Sequence, residues 1–281
     1  MRRLLLFGAL LLSVITSCNK DIDNPIDSKI TAPTLKASVE SSAGTKSILK
    51  EGKIYWSPND KISVFFGKTA TAYESVSDKE EASSDFHITS ESEAVLQGVS
   101  KEDLQNIWGV YPYDETATSD GESITTTLPE NQKAVEGTFA DDLYLTIAHS
   151  SDNTLKFKNI CGGIKFTLRR DDISSITIKG NNNEYIAGKV KITLEDNNPK
   201  ITVLEGIKTV TLTPEDGGTF KTGKYYYAVL LPCEMESGFT MTFKTEWENG
   251  SFDYREKAVR IIRSSFGKKD EMDKDATFDP D

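Results

Sequence analysis

The chain has 281 residues, of which 37% are hydrophobic, 9% aromatic and 27% charged, a composition typical of a globular protein. Collagen-like, coiled-coil and low-complexity folds are excluded. The formal net charge is −11 and no continuous basic patch compensates for it, so no binding to nucleic acid is expected. The length suits one large domain or two of modest size.

The N-terminus has the layout of a bacterial secretion signal. Arg2 and Arg3 precede the apolar run 4–15, and two small residues follow this run. The run is shorter than the about 20 residues that a transmembrane helix needs. We therefore expect residues 1–17 to be removed as a signal peptide.

Cys18 directly follows the small residues, and the sequence Ile-Thr-Ser-Cys resembles the lipobox of bacterial lipoproteins. In those proteins the cysteine becomes the acylated N-terminus, whereas the alternative is an ordinary secreted protein with a cysteine at this position. Two or more acyl chains hold a protein stably on a membrane. The sequence therefore predicts lipid attachment at Cys18 and a location at the outer membrane. Asp21 and Asp23 resemble the signal that exports some lipoproteins to the cell surface.

The rest of the chain has the pattern of strands. Residues 18–45 are polar and are predicted to be a tether or an exchangeable N-terminal strand. From residue 46 onward, apolar and polar residues alternate in short runs that turn-forming residues separate. Because no amphipathic run of helical period follows the signal, the sequence predicts an all-β fold of antiparallel β-sandwiches.

A polar stretch around residue 152 predicts a domain boundary. It separates an N-terminal β-sandwich at 46–152 from a C-terminal β-sandwich at 153–267, each about the size of one such domain. Within the second, Asn249-Gly250 predicts the type I′ turn of a β-hairpin. Residues 268–281 are acidic and are expected to form a solvated tail.

No group of residues has the pattern of a catalytic or metal site. His87 and His149 do not share a metal-binding spacing, and the sequence contains no nucleophile elbow, phosphate loop or dinucleotide fingerprint. We therefore expect no enzyme activity, no cofactor and no metal. Cys161 and Cys233 would lie in an oxidising compartment, where they form a disulfide or stay as two buried thiols.

Aromatic residues are the remaining candidates for ligand binding. Exposed tryptophan and tyrosine stack on sugar rings, but both are also common core residues of β-sandwiches. Trp247, beside the predicted turn, is expected to be exposed and is the candidate for glycan stacking. The other residues of this kind are Trp56, Trp108 and the run Tyr225-Tyr-Tyr227.

An ordered set of short motifs resembles the fimbrillin family of Gram-negative anaerobic bacteria. The set extends from about residue 44 to 266, behind the lipobox. Its members are Lys46-Ser-Ile48, Ile54-Tyr-Trp56, Asp60-Lys-Ile-Ser-Val-Phe65, Tyr111-Pro-Tyr113, Leu128-Pro-x-x-Gln132, Phe139-Ala-Asp-Asp-Leu143, Leu155-Lys-Phe-Lys-Asn159 and Tyr226-Tyr-Ala-Val-Leu-Leu-Pro232.

The resemblance implies two tandem transthyretin-like antiparallel β-sandwiches and a lipoprotein precursor of a fimbrial stalk, tip or anchor subunit. In polymerising fimbrillins, a surface protease cuts after a basic residue and removes the first strand. A strand of the neighbouring subunit then fills the groove. An unpaired sheet edge is a ready acceptor for such a strand. The partners implied are outer-membrane lipid, other fimbrial subunits or further copies of the chain, and a host or bacterial surface ligand.

The basic residues of this chain restrict how the resemblance applies. No arginine lies between Arg3 and Arg169, so the protease would have to cut after Lys36 or Lys46, or the chain stays uncut and lipid-anchored. The displaced strand would be 36–40 or 47–49. The donor or final strand would consist of Ala258, Val259, Arg260, Ile261 and Ile262. The alternative function is that of a carbohydrate-binding surface lipoprotein of a glycan-uptake system.

Overall fold

The computed structural model describes residues 30–40, 55–140 and 142–280. These residues form 23 strands, numbered β1 to β23 in chain order, and two short 3₁₀ turns at Val95–Gly98 and Asp103–Gln105. The predicted all-β class is confirmed. Within the same residues, no helical segment has the length and hydropathy that crossing a membrane requires.

The first sheet has seven strands and closes on itself, because its last strand pairs with its first. Only one pair of neighbours in this sheet, β1 (Leu35–Val39) and β11 (Thr154–Asn159), is parallel. In spatial order the strands are β1 (Leu35–Val39), β11 (Thr154–Asn159), β10 (Thr146–Ser150), β5 (Ile107–Tyr111), β2 (Lys61–Phe66), β3 (Thr69–Ser75) and β4 (Ser83–Ile88).

Two further sheets combine strands that are distant in sequence. The larger has the order β23 (Thr277–Pro280), β20 (Glu248–Tyr254), β19 (Phe239–Lys244), β13 (Ser175–Gly180), β16 (Thr209–Pro214), β8 (Asn131–Val135) and β9 (Thr138–Phe139). The smaller has the order β15 (Asn198–Ile207), β14 (Ala187–Glu195), β7 (Ile124–Leu128) and β6 (Thr118–Ser119).

The remaining strands form two small sheets, of three and two strands. The first contains β17 (Tyr226–Leu230), β12 (Gly162–Phe166) and β22 (Phe266–Lys269), and the second contains β18 (Cys233–Met235) and β21 (Val259–Ile261). Gln132 joins β8 to β17: its side-chain amide donates to the carbonyl of Val229 at 2.7 Å and accepts from the Val229 N–H at 3.0 Å. Two motifs of the fimbrillin-like set therefore meet in the fold.

Strand pairing crosses the predicted domain boundary between residues 152 and 153. β11, on the C-terminal side of the boundary, pairs with β10 and β1 in the closed sheet. β7 and β8, on the N-terminal side, pair with β14 and β16. The division at residue 152 does not follow the sheets, because backbone hydrogen bonds join strands regardless of their separation along the chain.

Two groups of buried side chains hold these sheets together. One fills the closed sheet and includes Leu35, Trp56, Phe86 and Phe157, all with no exposed surface. The other combines residues of β2, β5 and β10 of the closed sheet with residues of the remaining sheets and extends from Phe65 to Met272. The alternation of buried and exposed residues along β11 and β19 produces these cores, since successive side chains of a strand point to opposite faces.

The predicted hairpin is present as β19 and β20, but the predicted position of its turn is wrong. Lys244 pairs with Asn249, so Asn249 and Gly250 belong to β20 and the turn consists of the residues between the two strands. Thr245 closes this turn through its hydroxyl oxygen, which accepts from the Glu248 N–H at 3.0 Å. Asn-Gly is a strong hairpin signal, but here Gly250 lies within β20 and is paired with β19 on one side and with a further strand on the other.

That neighbouring strand is β23, which lies in the segment predicted to be a solvated tail. β23 pairs with β20, and the ring of Phe278 covers Gly250 so closely that a Cβ at this glycine would lie 2.4 Å from the ring. Met272 and Asp273 are buried. The prediction of a solvated tail at 268–281 is therefore wrong for its described residues, because two apolar side chains and one buried carboxylate fix this acidic segment to the protein.

Asp273 is the polar anchor of the C-terminal segment. Its two carboxylate oxygens accept from the backbone N–H groups of Arg169 and Arg170 at 2.7 and 2.8 Å. We expect Asp273→Ala to lower the free energy of unfolding by about 1–3 kcal/mol, since it leaves two backbone donors unpaired. Urea unfolding measures this change, and the exposed Asp275→Ala is the control, with an expected change within about 0.5 kcal/mol. Equal stability of the two variants would contradict the anchoring role.

Candidate functional site

The first strand occupies an internal position in the closed sheet. β1 lies between β11, to which it is parallel, and β4, to which it is antiparallel. Its ends are fixed by the Lys36 N–H, which donates to the Asn153 carbonyl at 2.8 Å, and by the Glu40 N–H, which donates to the Phe157 carbonyl at 2.9 Å. Removing β1 would expose the edges of both neighbours. We call the space between β11 and β4 the β1 slot.

The interior of the slot is apolar and closely packed. Leu35 and Ala37 have no exposed surface, whereas Lys36 between them is exposed. This alternation directs every second side chain of β1 into the closed sheet. β1 therefore places an apolar side chain at its first position and a small one at its third in the buried interior.

Trp56 forms the base of the slot. Its indole Nε1–H donates to the Ala37 carbonyl at 3.0 Å, and the side chain has no exposed surface. The rings of Phe86, Tyr111 and Phe157 contact the indole edge-on, with centroids 4.9, 4.9 and 5.6 Å away. Edge-on contacts of this kind are favourable beyond the area that they bury. Trp56 thus holds β1 by a buried hydrogen bond, and its ring packs against rings of β4, β5 and β11.

A polar cluster closes the far end of β1. Glu40 Oε1 accepts from the Asn159 N–H at 2.8 Å and the Ser264 hydroxyl at 3.3 Å, and it forms an ion pair with the Arg263 guanidinium. Arg263 also donates to the Asn159 carbonyl at 2.9 Å. The carboxylate and the guanidinium are both mostly buried, with side chains 29% and 30% exposed. We call this cluster the Glu40 latch.

No pattern in the sequence identifies the latch. Glu40 and Arg263 are 223 residues apart, and no spacing rule connects positions so distant. In the sequence, Trp56 stands out only as part of a strand motif and as a candidate for sugar stacking. The one usable signal is the segment 36–40, a predicted displaced strand.

The two predicted processing sites differ in their relation to β1. Lys36 lies inside the strand, so a cut after it would leave most of β1 attached to the rest of the chain. Lys46 and the predicted lipid-attachment residue Cys18 lie outside the described residues. By its position in the sequence, a cut after Lys46 would separate all of β1 from the chain that follows.

The segment predicted as a donor or final strand is paired within the chain. Its central residues form β21, which pairs with β18 through Cys233, Glu234 and Met235. Arg260 adds a surface ion pair with Glu234 at 2.9 Å. Since β22 and β23 follow, β21 is not the final strand, and this part of the prediction is wrong. The acidic composition of the end of the chain concealed those later strands.

Both cysteines described by the structure are free thiols. Burial raises the pKa of the Cys161 thiol far above its ordinary value. Burial, with a smaller contribution from Glu184, raises the pKa of Cys233 to about 11. Since the thiolate is the reactive form, neither group is activated as a nucleophile.

We expect both thiols to react with Ellman's reagent much more slowly in the native protein than after unfolding. At pH 8 the native protein should react far more slowly than the protein in guanidinium chloride without reductant. The matched Cys233→Ser variant should lose one of the two reactive groups. A disulfide between Cys161 and Cys233 would instead leave no reactive thiol from this pair in the unfolded, unreduced chain.

The tryptophans have contrasting environments. Trp56 and Trp108 are buried, so neither offers a face to a sugar ring. Trp247 is 73% exposed at the end of the β19 and β20 hairpin. Near it in the sequence, Glu248 accepts from Arg170 at 2.8 Å, and the same guanidinium holds the pKa of the Asp172 carboxyl below its usual range.

Among the described residues, no group of three histidine, cysteine or acidic side chains could hold a metal ion. The polar clusters described above consist of ion pairs and of carboxylates that accept hydrogen bonds from backbone N–H groups. The β1 slot and the Glu40 latch form the candidate site, because they hold one internal strand by pairing on both sides, a buried hydrogen bond and an ion pair.

No protein-family model and no curated protein matches the sequence. Solved structures are similar to it in fold. A protein of Bacteroides ovatus attributed to cell adhesion is 10% identical with a TM-score of 0.50, over 90% of this chain and 97% of that one.

Two other solved structures are more distant. A fimbrial protein of Bacteroides ovatus is 9% identical with a TM-score of 0.35, over 86% of this chain and 49% of its own. The tip fimbrial protein Mfa3 of Porphyromonas gingivalis is 7% identical with a TM-score of 0.39, over 89% of this chain and 99% of its own. The likeness to the cell-adhesion protein, which has the highest TM-score of the three, shows a shared fold.

Proposed function

We propose that this chain is a lipid-anchored, fimbrillin-like protein of the cell surface and a structural component of fimbriae or an adhesin. A signal peptide followed by Cys18 supports attachment to the outer membrane. The fold shared with a cell-adhesion protein supports a structural rather than an enzymatic role. In this proposal the chain has two transthyretin-like sandwiches and serves as a minor subunit, a tip or an anchor.

Assembly would proceed by donor-strand addition at the β1 slot. The observation that carries this proposal is the position of β1, an internal strand of a closed sheet that is paired on both sides and lies near the N-terminus. A cut after Lys46 would leave β1 held only by non-covalent contacts. A strand from another subunit can then replace it, and head-to-tail contacts of this kind do not close and so produce fibres.

The N-terminus of the native protein tests the proposal. Mass spectrometry should find either an acylated Cys18, as expected for an anchor or adhesin, or a start at residue 47, as expected for a polymerising subunit. A protein that keeps residues 1–17 without lipid would contradict both forms. For the polymerising form, Lys46→Gln should abolish detergent-stable ladders, whereas the control Lys36→Gln should not.

A second candidate function is binding of carbohydrate, and the exposure of Trp247 favours it. An exposed indole can stack on a sugar ring, while the nearby Glu248 and Asp172 can accept hydrogen bonds from hydroxyl groups. Glycan-array binding by the mature protein should then be lost in Trp247→Ala and kept in Tyr185→Ala, which removes another exposed aromatic side chain. No binding to any glycan would contradict this function.

A further inference from the structure

We propose that the β1 slot selects donor strands of one chemical pattern: a large apolar residue, a residue no larger than alanine two positions later, and a carboxylate five positions after the first. This inference rests on the proposed donor-strand function and specifies its partner. The pattern is that of Leu35, Ala37 and Glu40. The partner is a strand of another polypeptide that carries it.

The first two requirements follow from the packing of β1. Leu35 and Ala37 are completely buried, so each is surrounded by protein on every side. The Ala37 carbonyl accepts from the indole Nε1–H of Trp56 at 3.0 Å, and an outward movement of the strand to admit a larger side chain would break this buried hydrogen bond. Overfilling a closely packed site is destabilising. A donor strand therefore needs a small residue at this position.

The carboxylate requirement follows from the hydrogen-bond donors that lose their acceptor when Glu40 departs with β1. When β1 departs, the Arg263 guanidinium, the Asn159 N–H and the Ser264 hydroxyl all lose the same acceptor, Oε1 of Glu40. An uncompensated charge in a partly buried position is unfavourable, and so is an unpaired backbone donor. A donor strand with a carboxylate at this position restores all three interactions, whereas a strand with an uncharged residue there cannot form the ion pair with Arg263.

The pattern excludes residues 258–262, the predicted donor strand, as the occupant of the slot. In a second copy of this chain, 258–263 would place Arg260 at the small-residue position and Arg263 opposite the Arg263 of the acceptor. No other register within 254–280 provides an apolar residue, a small residue and a carboxylate at the required spacing. We therefore infer that the donor is not the C-terminal segment of a second copy.

Peptide exchange into the cut protein tests the pattern. The mature chain carries a site for a sequence-specific protease inserted after Gly44, and cutting this site leaves β1 bound without a covalent link. Fluorescent peptides then compete with β1 for the slot, and the concentration for half exchange is measured. The peptides are residues 31–42, the same peptide with Glu40→Gln, Ala37→Leu or Lys36→Gln, and residues 256–265.

The native peptide and its Lys36→Gln form, which changes only an exposed side chain, should exchange equally well. Glu40→Gln and Ala37→Leu should each exchange at least about tenfold less well, the size expected for losing a charged hydrogen bond or overfilling the site. Residues 256–265 should not exchange. In the Arg263→Glu protein, a Glu40→Lys peptide should exchange better than the native one.

The possible outcomes separate this inference from the proposed function. If all peptides of residues 31–42 exchange equally, the slot accepts strands but does not select this pattern, and the inference is overturned. If residues 256–265 exchange as well as the native peptide, the exclusion of the C-terminal segment is overturned. If no peptide enters the slot, donor-strand addition itself is rejected.

Discussion

Replacing Trp56 by alanine is expected to lower the free energy of unfolding by about 3–5 kcal/mol, the range for removing a large buried aromatic side chain. The indole has no exposed surface and contacts three other rings. The change also removes the donor to the Ala37 carbonyl, which lies inside the sheet and has no access to water. The loss should therefore act directly on the retention of β1.

Urea unfolding measures the loss in stability, and limited proteolysis between β1 and Tyr55 measures the release of the strand. Trp247→Ala is the matched control, because it makes the same chemical change at a side chain that is 73% exposed. It should alter stability by no more than about 0.5 kcal/mol. Trp56→Phe should be intermediate, since it keeps a ring but loses the hydrogen bond. Equal stability of Trp56→Ala and Trp247→Ala would refute the role of Trp56 as the base of the slot.

Replacing Gly163 by alanine is expected to cost about 3 kcal/mol or more, at or above the upper end for overfilled sites. A Cβ at Gly163 would lie 1.9 Å from the Ala228 carbonyl oxygen and 2.8 Å from the Phe266 ring. The first contact is with backbone, so no side-chain rotation relieves it. β12 pairs with both β17 and β22, and the added methyl group would force these strands apart.

Gly267→Ala is the matched control for this prediction. Gly267 lies in the same three-stranded sheet, but the nearest atom to its added Cβ, the Gly163 carbonyl oxygen, is 4.0 Å away. This control should unfold at nearly the same urea concentration as the original protein. If Gly163→Ala does not fold, the yield of protease-resistant monomer replaces the urea midpoint. A Gly163→Ala protein as stable as the Gly267→Ala control would show that the sheet can widen freely.

The local pattern of the sequence was sufficient to predict individual strands but not to predict which strands pair with each other. Phe239, Met241 and Phe243 alternate with polar residues, and they form a strand with its apolar face buried, as predicted. The predicted position of the turn beyond them is wrong. Gly250 lies in a strand, where the ring of Phe278 in β23 leaves no room for a side chain. An alternating pattern identifies a strand, but it contains no information about which other strand pairs with it.

The partners of the buried polar residues can be recognised only in the tertiary structure. Asp273 lies in a run of acidic residues that resembles any solvated tail, yet its carboxylate binds two backbone donors more than 100 residues earlier in the chain. Glu40 is likewise one of many acidic residues. Only the positions of Asn159, Arg263 and Ser264 around it distinguish it from the others. The sequence around a charged residue does not indicate which distant residue becomes its partner in the folded protein.

The sequence by itself determined the class of structure and the expected location of this protein. The signal layout, the cysteine after it and the period of two along the chain are local properties, and the all-β class follows from that period without any long-range contact. The tertiary structure decided that β1 lies between β11 and β4, that the acidic end is folded, and that Glu40 meets Arg263. These are pairings between distant segments, which the packing of the whole chain selects and which no spacing of residues encodes.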